Sequence, residues 1–456
     1  MRASRLLTLL NQHDRALAMA NAALQRVKPT DIRRKQEIQR LQEATMIAKL
    51  RHEENLRAQI CHIAKLPFEL LALVFQEAVQ CMGTHPFHLA HVCGHWRRVA
   101  MDMPALWSTL TIRNVPKVQK TLRWLQLAQY KLSSLHLVQP RDLQKLGSVL
   151  TDSTKELDYL ECDFGSSVNV SQLRQIHPGA RRMLLRGPRE PIVPGPRPED
   201  IRPLVSEGVK ELRVEALWVQ WEVLAHNLPH LTHLTIAKII LPSLRLLLGL
   251  LSTTPYLQAL ILQGPPIYQL FESNLDAHPD LSHLIELELD IENLPGYNLA
   301  EYISFPNLRK LRLSNFYARD FLETLATKHA LALTELRIRN PIAMQQCSPI
   351  RPFLGESLET LELSKTAISV AEIVEDLAKG LCPRLTSLTL SNSLISEDPI
   401  IRLVKARNGG DEHSLKTLIV DSCDNVDPDV LPWLRSKVPV VSCVYMTKKQ
   451  AKKKNR

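Results

Sequence analysis

Five side chains able to ligate a metal crowd one short stretch: His85, His88, His91, Cys93 and His95. On one continuous helix, His88, His91 and His95 fall at i, i+3 and i+7, a spacing that could bring three ligands to one zinc ion. Cys93 falls instead with Val92 and Trp96 on the apolar face. The histidines therefore read as structural or solvent-facing, and no metal or other cofactor is expected. No P-loop, GxGxxG, GxSxG or HExxH motif occurs. The chain is not expected to be an enzyme; a metal-dependent hydrolase built on the His-rich helix is the catalytic alternative.

The net charge of +10 could suggest nucleic-acid binding, but its distribution argues otherwise. The last ten residues carry five Lys (448, 449, 452, 453 and 454) and one Arg, and residues 1–62 hold 12 basic and 6 acidic side chains. Residues 63–446 hold 39 basic and 41 acidic ones, so the body has no basic groove. The tail, 447–456, reads as disordered and as a candidate import signal. No stretch of about 20 unbroken apolar residues predicts a membrane span. The eight Cys include no CxxC pair and fit a reducing, cytoplasmic and/or nuclear location.

These candidates must be held by the segment around them, 63–112. Pro67 suits the first turn of a helix on which Leu66, Leu70, Val74 and Phe75 share a face. A second helix is expected from about Phe87 to Met101, with Leu89, Val92, Cys93, Trp96 and Val99 on one side. Pro104 opens a short third turn ending in Leu106 and Trp107. So small an aliphatic core leaves little room for two Trp, and the apolar surplus calls for a partner.

In order, these submotifs read LPFELLALVF, VCGHWRRVA and PALW. The segment resembles the F-box, and a helical N-terminus running into IAKLPFELL is similar to F-box proteins of mushroom-forming (basidiomycete) fungi. The resemblance implies a substrate-receptor subunit of a cullin–RING ubiquitin ligase of the SCF type. It would bind a Skp-type adaptor, and through it a cullin. Leu66, Pro67, Leu70, Val74, Phe75, Val92, Cys93, Trp96, Leu106 and Trp107 match motif positions that form or support the adaptor-binding face.

Upstream, Leu6, Leu10, His13, Leu17, Ala20, Leu24 and Val27 place one helix over 5–28. A second, over about 32–61 and capped by Thr30 or Asp31, has the seam Ile38, Leu41, Thr45, Ala48 and His52. Residues 1–62 then form a hairpin closing on itself or a short dimerising coiled coil.

Downstream the chain repeats itself. LxxLxL motifs start at 132, 157, 209, 231, 257, 284, 308, 333, 358, 385 and 415, with a weak copy at Ala180. The spacings, 22 to 30 residues, fit leucine-rich repeats, and 78 Leu against 5% aromatics fits many small similar cores. The expected fold class is α/β: a leucine-rich-repeat solenoid over 113–446, with a parallel inner sheet and outer helices, interrupted by a Pro-rich loop at 187–203. Nine residues into each unit, Thr366, Ser393 and Cys423 could satisfy buried backbone groups; Leu217, Ile239, Phe316 and Pro341 could not.

Outward positions on the strands set Glu286, Glu288 and Asp290 beside Lys310 and Arg312, followed by Arg337 and Arg339 and then a Ser/Thr-rich strip. These charges form either a ladder of cross-strand ion pairs or a surface for a charged peptide of an unknown protein substrate. A repeat scaffold that binds partners without any ligase is the alternative to the receptor.

Overall fold

The computed structural model describes the chain except residues 1, 11, 29, 61–62, 64–65, 116, 142–145, 156, 166–178, 189–200, 202–203, 225–227, 239–243, 265–277, 292–297, 343, 345, 367–368, 411–413 and 445–456. Most of the Pro-rich loop and the whole basic tail thus lie outside the described residues. The chain divides into two units, Met1–Trp107 and Ser108–Arg456.

The first unit is all-α. The helix expected over 5–28 is two helices, α1 (Arg2–Leu9) and α2 (His13–Arg26). The heptad stripe runs through the break because α1 folds back on α2, and the Ser4 hydroxyl donates to the Ala16 carbonyl at 2.8 Å. Asp31 caps α3 (Ile32–Ile60) by accepting from the Arg34 N–H at 3.1 Å. The α3 seam is as expected: Ile38 and Thr45 are buried, and Leu41, Ala48 and His52 half-buried. Thr8 and Thr45 share a hydrogen bond at 3.2 Å, and Lys49 pairs with Asp14 at 2.5 Å. His13 is buried against His52, and neither ring nitrogen has a hydrogen-bond partner among the described residues. After α3 come α4 (Phe68–Gln80), α5 (Pro86–Ala90), α6 (Gly94–Met101) and a 3-10 turn, Pro104–Trp107.

The second unit is a leucine-rich-repeat solenoid. Among the described residues, fourteen parallel strands follow one another in chain order through a single sheet. They are β1 Thr109–Arg113, β2 Ser134–Val138, β3 Tyr159–Asp163, β4 Arg182–Arg186, β5 Glu211–Glu215, β6 His233–Ala237 and β7 Ala259–Gly264. They continue as β8 Glu286–Ile291, β9 Lys310–Ser314, β10 Glu335–Arg339, β11 Thr360–Ser364, β12 Ser387–Thr389, β13 Thr417–Ile419 and β14 Val440–Ser442. Twelve of them are the motifs found in the sequence; β1 and β14 extend the sheet at either end, so it starts a few residues before 113. The two inward side chains of each repeat from β1 to β13 are buried, as with Leu311 and Leu313 on β9, and at β14 Val441 and Cys443 are half-buried. Each such Leu contributes about 1.5–3 kcal/mol. Outer helices supply the facing layer: Leu244–Ser252 buries Leu247, Leu248, Leu250 and Leu251, and Ala371–Ala378 buries Ile373, Val374 and Leu377.

Nine of the strands are ended by the backbone. Asn114, Gln139, Ala216, Lys238, Asn315, Asn340, Lys365, Asn392 and Ser422 all have positive φ, two residues after the second inward side chain. Asn tolerates this region best among non-glycines, and it fills four of the nine places. Turned this way, the Asn340 N–H donates to the Ser364 carbonyl at 2.9 Å, and Lys365 likewise to Ser391 at 2.8 Å, one repeat on. The next residue splits the array as expected. Ser393 donates to the Leu363 carbonyl at 2.8 Å, Cys423 to the Leu390 carbonyl at 2.9 Å, and Thr366 to the Ser393 hydroxyl at 3.1 Å. Leu217 and Phe316 are simply buried, Phe316 edge-on to Phe321. At Gly187 a side chain is impossible, since a Cβ would lie 1.9 Å from the Ala216 carbonyl oxygen.

Candidate partner-docking surfaces

The helix expected from Phe87 to Met101 is instead two. The chain turns through His91 and Val92, and Cys93 caps α6, its sulfur accepting from the Trp96 N–H at 3.5 Å. The apolar period survives because two short helices at an angle satisfy it as well as one long one. The imidazole spacing does not survive: His85 and His88 belong to α5 and its cap, His91 follows α5, and His95 opens α6. Among the described residues no three metal-ligating side chains converge.

The break also redistributes the motif residues. Phe75, Leu106 and Trp107 are buried, together with Leu71, Leu89, Ala90, Val99 and Ala100. Trp107 lies in this core, its indole N–H donating to the Ala100 carbonyl at 2.8 Å and its ring edge-on to Phe87 at 5.1 Å. Trp96 is half-buried, 4.9 Å from Phe75. The core therefore has room for one Trp entirely and most of the second, contrary to the sequence expectation. Leu66 is half-buried, whereas Pro67 and Cys93 are exposed. Leu70 is 49% exposed, Val74 46% and Val92 59%. Phe68 and Leu73, which the motif reading passed over, are exposed too. Leu70, Leu73 and Val74 lie at i, i+3 and i+4 on α4, so they form one apolar stripe on the side away from Leu71 and Phe75.

On the outward face of the sheet, parallel register sets Glu286, Lys310 and Glu335 in one row, and Glu288, Arg312 and Arg337 in the next. Arg312 is the hub. Its guanidinium reaches Glu286 at 2.5 Å, Glu335 at 2.7 Å and Glu288 at 3.4 Å. Arg337 pairs with Glu335 at 2.6 Å, and Lys310 lies 3.8 Å from Glu286. Asp290 accepts from Asn315 at 2.7 Å. Arg339 grips Glu362 with two bonds, at 2.5 and 2.8 Å. Glu362 was missed in the sequence because it interrupts the Ser/Thr strip; its place between Leu361 and Leu363 in LETLELS marks it as outward. A second network, also unforeseen as a unit, joins His136, Arg186 and Glu161, and runs through Arg186 to Glu215 and Arg213. Burial pushes the Glu335 carboxyl up, but the Arg312 hydrogen bond and the Arg312, Arg337 and Lys310 charges outweigh it and hold it below the ordinary carboxylate value. The charges in the middle of the sheet thus satisfy one another first, as the ion-pair ladder requires.

No sequence-family model and no curated protein matches the chain. Among solved structures it is similar to an internalin (inlF) from Listeria monocytogenes, 14% identical, over 80% of this chain and 96% of that chain, with a TM-score of 0.45. It is also similar to the Rad7 and Elc1 complex in yeast, 15% identical, over 87% of this chain and 97% of that chain, with a TM-score of 0.38. At these values neither likeness bears on function, and the fold rests on the strand order and register above. No described helix is long and apolar enough to cross a membrane.

Proposed function

We propose that this protein is a substrate-receptor subunit of a cullin–RING ubiquitin ligase. The segment α4–α6 docks a Skp-type adaptor, and through it a cullin, while the solenoid holds a protein substrate. The chain does no chemistry; tethering raises the substrate's effective concentration at the ubiquitin carrier. The observation that carries the reading is the apolar stripe of Leu70, Leu73 and Val74, with Val92 and Pro67 also exposed, on the segment whose sequence resembles the F-box. Phe75, Leu106 and Trp107 hold that segment's fold. The outer sheet face supplies the substrate side, with its ion-pair networks and the hydroxyl-rich positions from Thr360 to Ser391.

The test is titration of the full chain, wild type and Leu70→Asp with Val74→Asp, against a Skp-type adaptor. Two anchors lost from a desolvated face should weaken binding at least about 100-fold. Thermal unfolding should hardly change, since both side chains already stand in water. Unchanged affinity in the folded variant overturns the receptor reading. Capture of substrate without adaptor or cullin would replace it with the ligase-independent scaffold.

A further inference from the structure

The seam of α3 is spent inside the first unit, yet its opposite face carries a second pattern. At 100° per residue, Arg40, Glu43, Ala44, Ile47, Leu50, Arg51 and Glu54 all lie within about 60° of Ile47. Ile38, Thr45 and His52 point the other way. Every residue of the outer set is exposed, with Ile47 at 51% and Leu50 at 55%. Arg40, Glu43, Arg51 and Glu54 have no ion-pair partner among the described residues. An apolar centre is thus flanked at each end by one cation and one anion that have no ion-pair partner among the described residues.

The order of these charges selects a partner. When two copies of α3 lie antiparallel about a two-fold axis at Ile47, Ile47 meets Ile47 and Ala44 meets Leu50. Glu43 then meets Arg51, and Arg40 meets Glu54, each pair occurring twice. In-register parallel pairing would instead set Arg40 on Arg40 and Glu43 on Glu43. A surface complementary to itself under a two-fold rotation is the requirement of an isologous dimer. We propose that the exposed face of α3 is a self-association surface, occupied by the α3 of a second copy of this chain in antiparallel orientation. The proposal stands apart from the receptor reading and uses none of its residues.

The contact is small and mostly polar at its rim, so the dimer forms and dissociates with concentration. Sedimentation of the full 51.8-kDa chain should show a monomer–dimer equilibrium. Ile47→Asp should weaken it at least about 100-fold, by burying an unpaired carboxylate twice at the axis. Glu43→Arg alone, and Arg51→Glu alone, should each weaken self-association about 10-fold, because each creates two like-charge contacts. Mixing these two variants should restore the dimer, since each then supplies the charge the other needs. That rescue separates a contact from a folding defect. Ile47→Cys should crosslink to itself on mild oxidation, and Arg40→Cys should not, whereas Arg40→Cys mixed with Glu54→Cys should. A chain that stays monomeric at about 100 µM overturns the proposal, as does a dimer indifferent to Ile47→Asp. Self-crosslinking of Arg40→Cys would replace antiparallel with parallel pairing and overturn it too.

Discussion

On β10 the inward side chains Leu336 and Ile338 are fully buried, and the outward Glu335, Arg337 and Arg339 all sit in ion pairs. On α4, Leu71 and Phe75 are buried, while Leu70, Leu73 and Val74 stand in water. The same aliphatic residues are used in both places. The difference lies in neighbours: every inner strand is covered by the next repeat and by an outer layer, whereas α4–α6 have one small core and a second face left over. A repeat array completes itself by adding copies. On the receptor reading proposed above, a short helical segment of this kind is completed by a partner.

The largest test of this contrast is truncation on each side of it. Leu336→Ala should cost about 2–5 kcal/mol in denaturant unfolding, whereas Leu73→Ala should stay within about 0.5 kcal/mol. Equal costs would mean that α4 is covered after all. Next comes the polar turn: Ser393→Ala removes the donor to the Leu363 carbonyl and should cost about 1–3 kcal/mol. Phe316→Leu, in a turn that has no such bond, should cost less, by the same unfolding assay. In the helical unit, His13→Leu replaces a buried imidazole that has no hydrogen bond among the described residues. Amide exchange in α1–α3 should slow by an amount equivalent to about 1 kcal/mol. The smallest effect belongs to the ion-pair hub. Arg312→Met should lower stability by about 1 kcal/mol or less, and high salt should shrink the loss. Glu335 sits below its ordinary value of 4.5, so the stability it lends is complete above that pH and disappears as pH falls through the lower folded value. The variant should show a weaker acid dependence there than the wild type.

Much of the solenoid was legible because its signal repeats. LxxLxL marked twelve strands, and the alternation gave the correct inward and outward faces, including the acidic row beside the basic one. The end strands escaped because their motifs are written with other residues. Trp107-Ser-Thr-Leu110-Thr-Ile112 opens on a Trp, and Val438-Pro-Val-Val441-Ser-Cys443 uses Val and Cys. Within α4–α6, residue types picked out candidate positions and not which way they face. Periodicity cannot distinguish one helix from two joined by a cap, so the turn at His91–Cys93 was invisible. That turn puts Val92 outside and leaves Trp107 in the core. The surface on α3 was hidden for another reason. Its pattern is a symmetry of charge order about Ile47, and the eye searching for a hydrophobic seam finds only the other side.

The strands are not of one length. Those from β1 to β11 have five or six residues, and β12, β13 and β14 have three. With fewer rungs, each of the last three holds its neighbour less firmly, and among the described residues β14 has a partner on one side only. Nearest-neighbour coupling turns this taper into a sequence in time. Opening is expected to begin at β14 and to advance strand by strand as far as β11, where the longer strands should halt it. In deuterated solvent the label should therefore enter as a front moving in from the C-terminal side, and Leu336 and Leu311 should keep their amide protons longest.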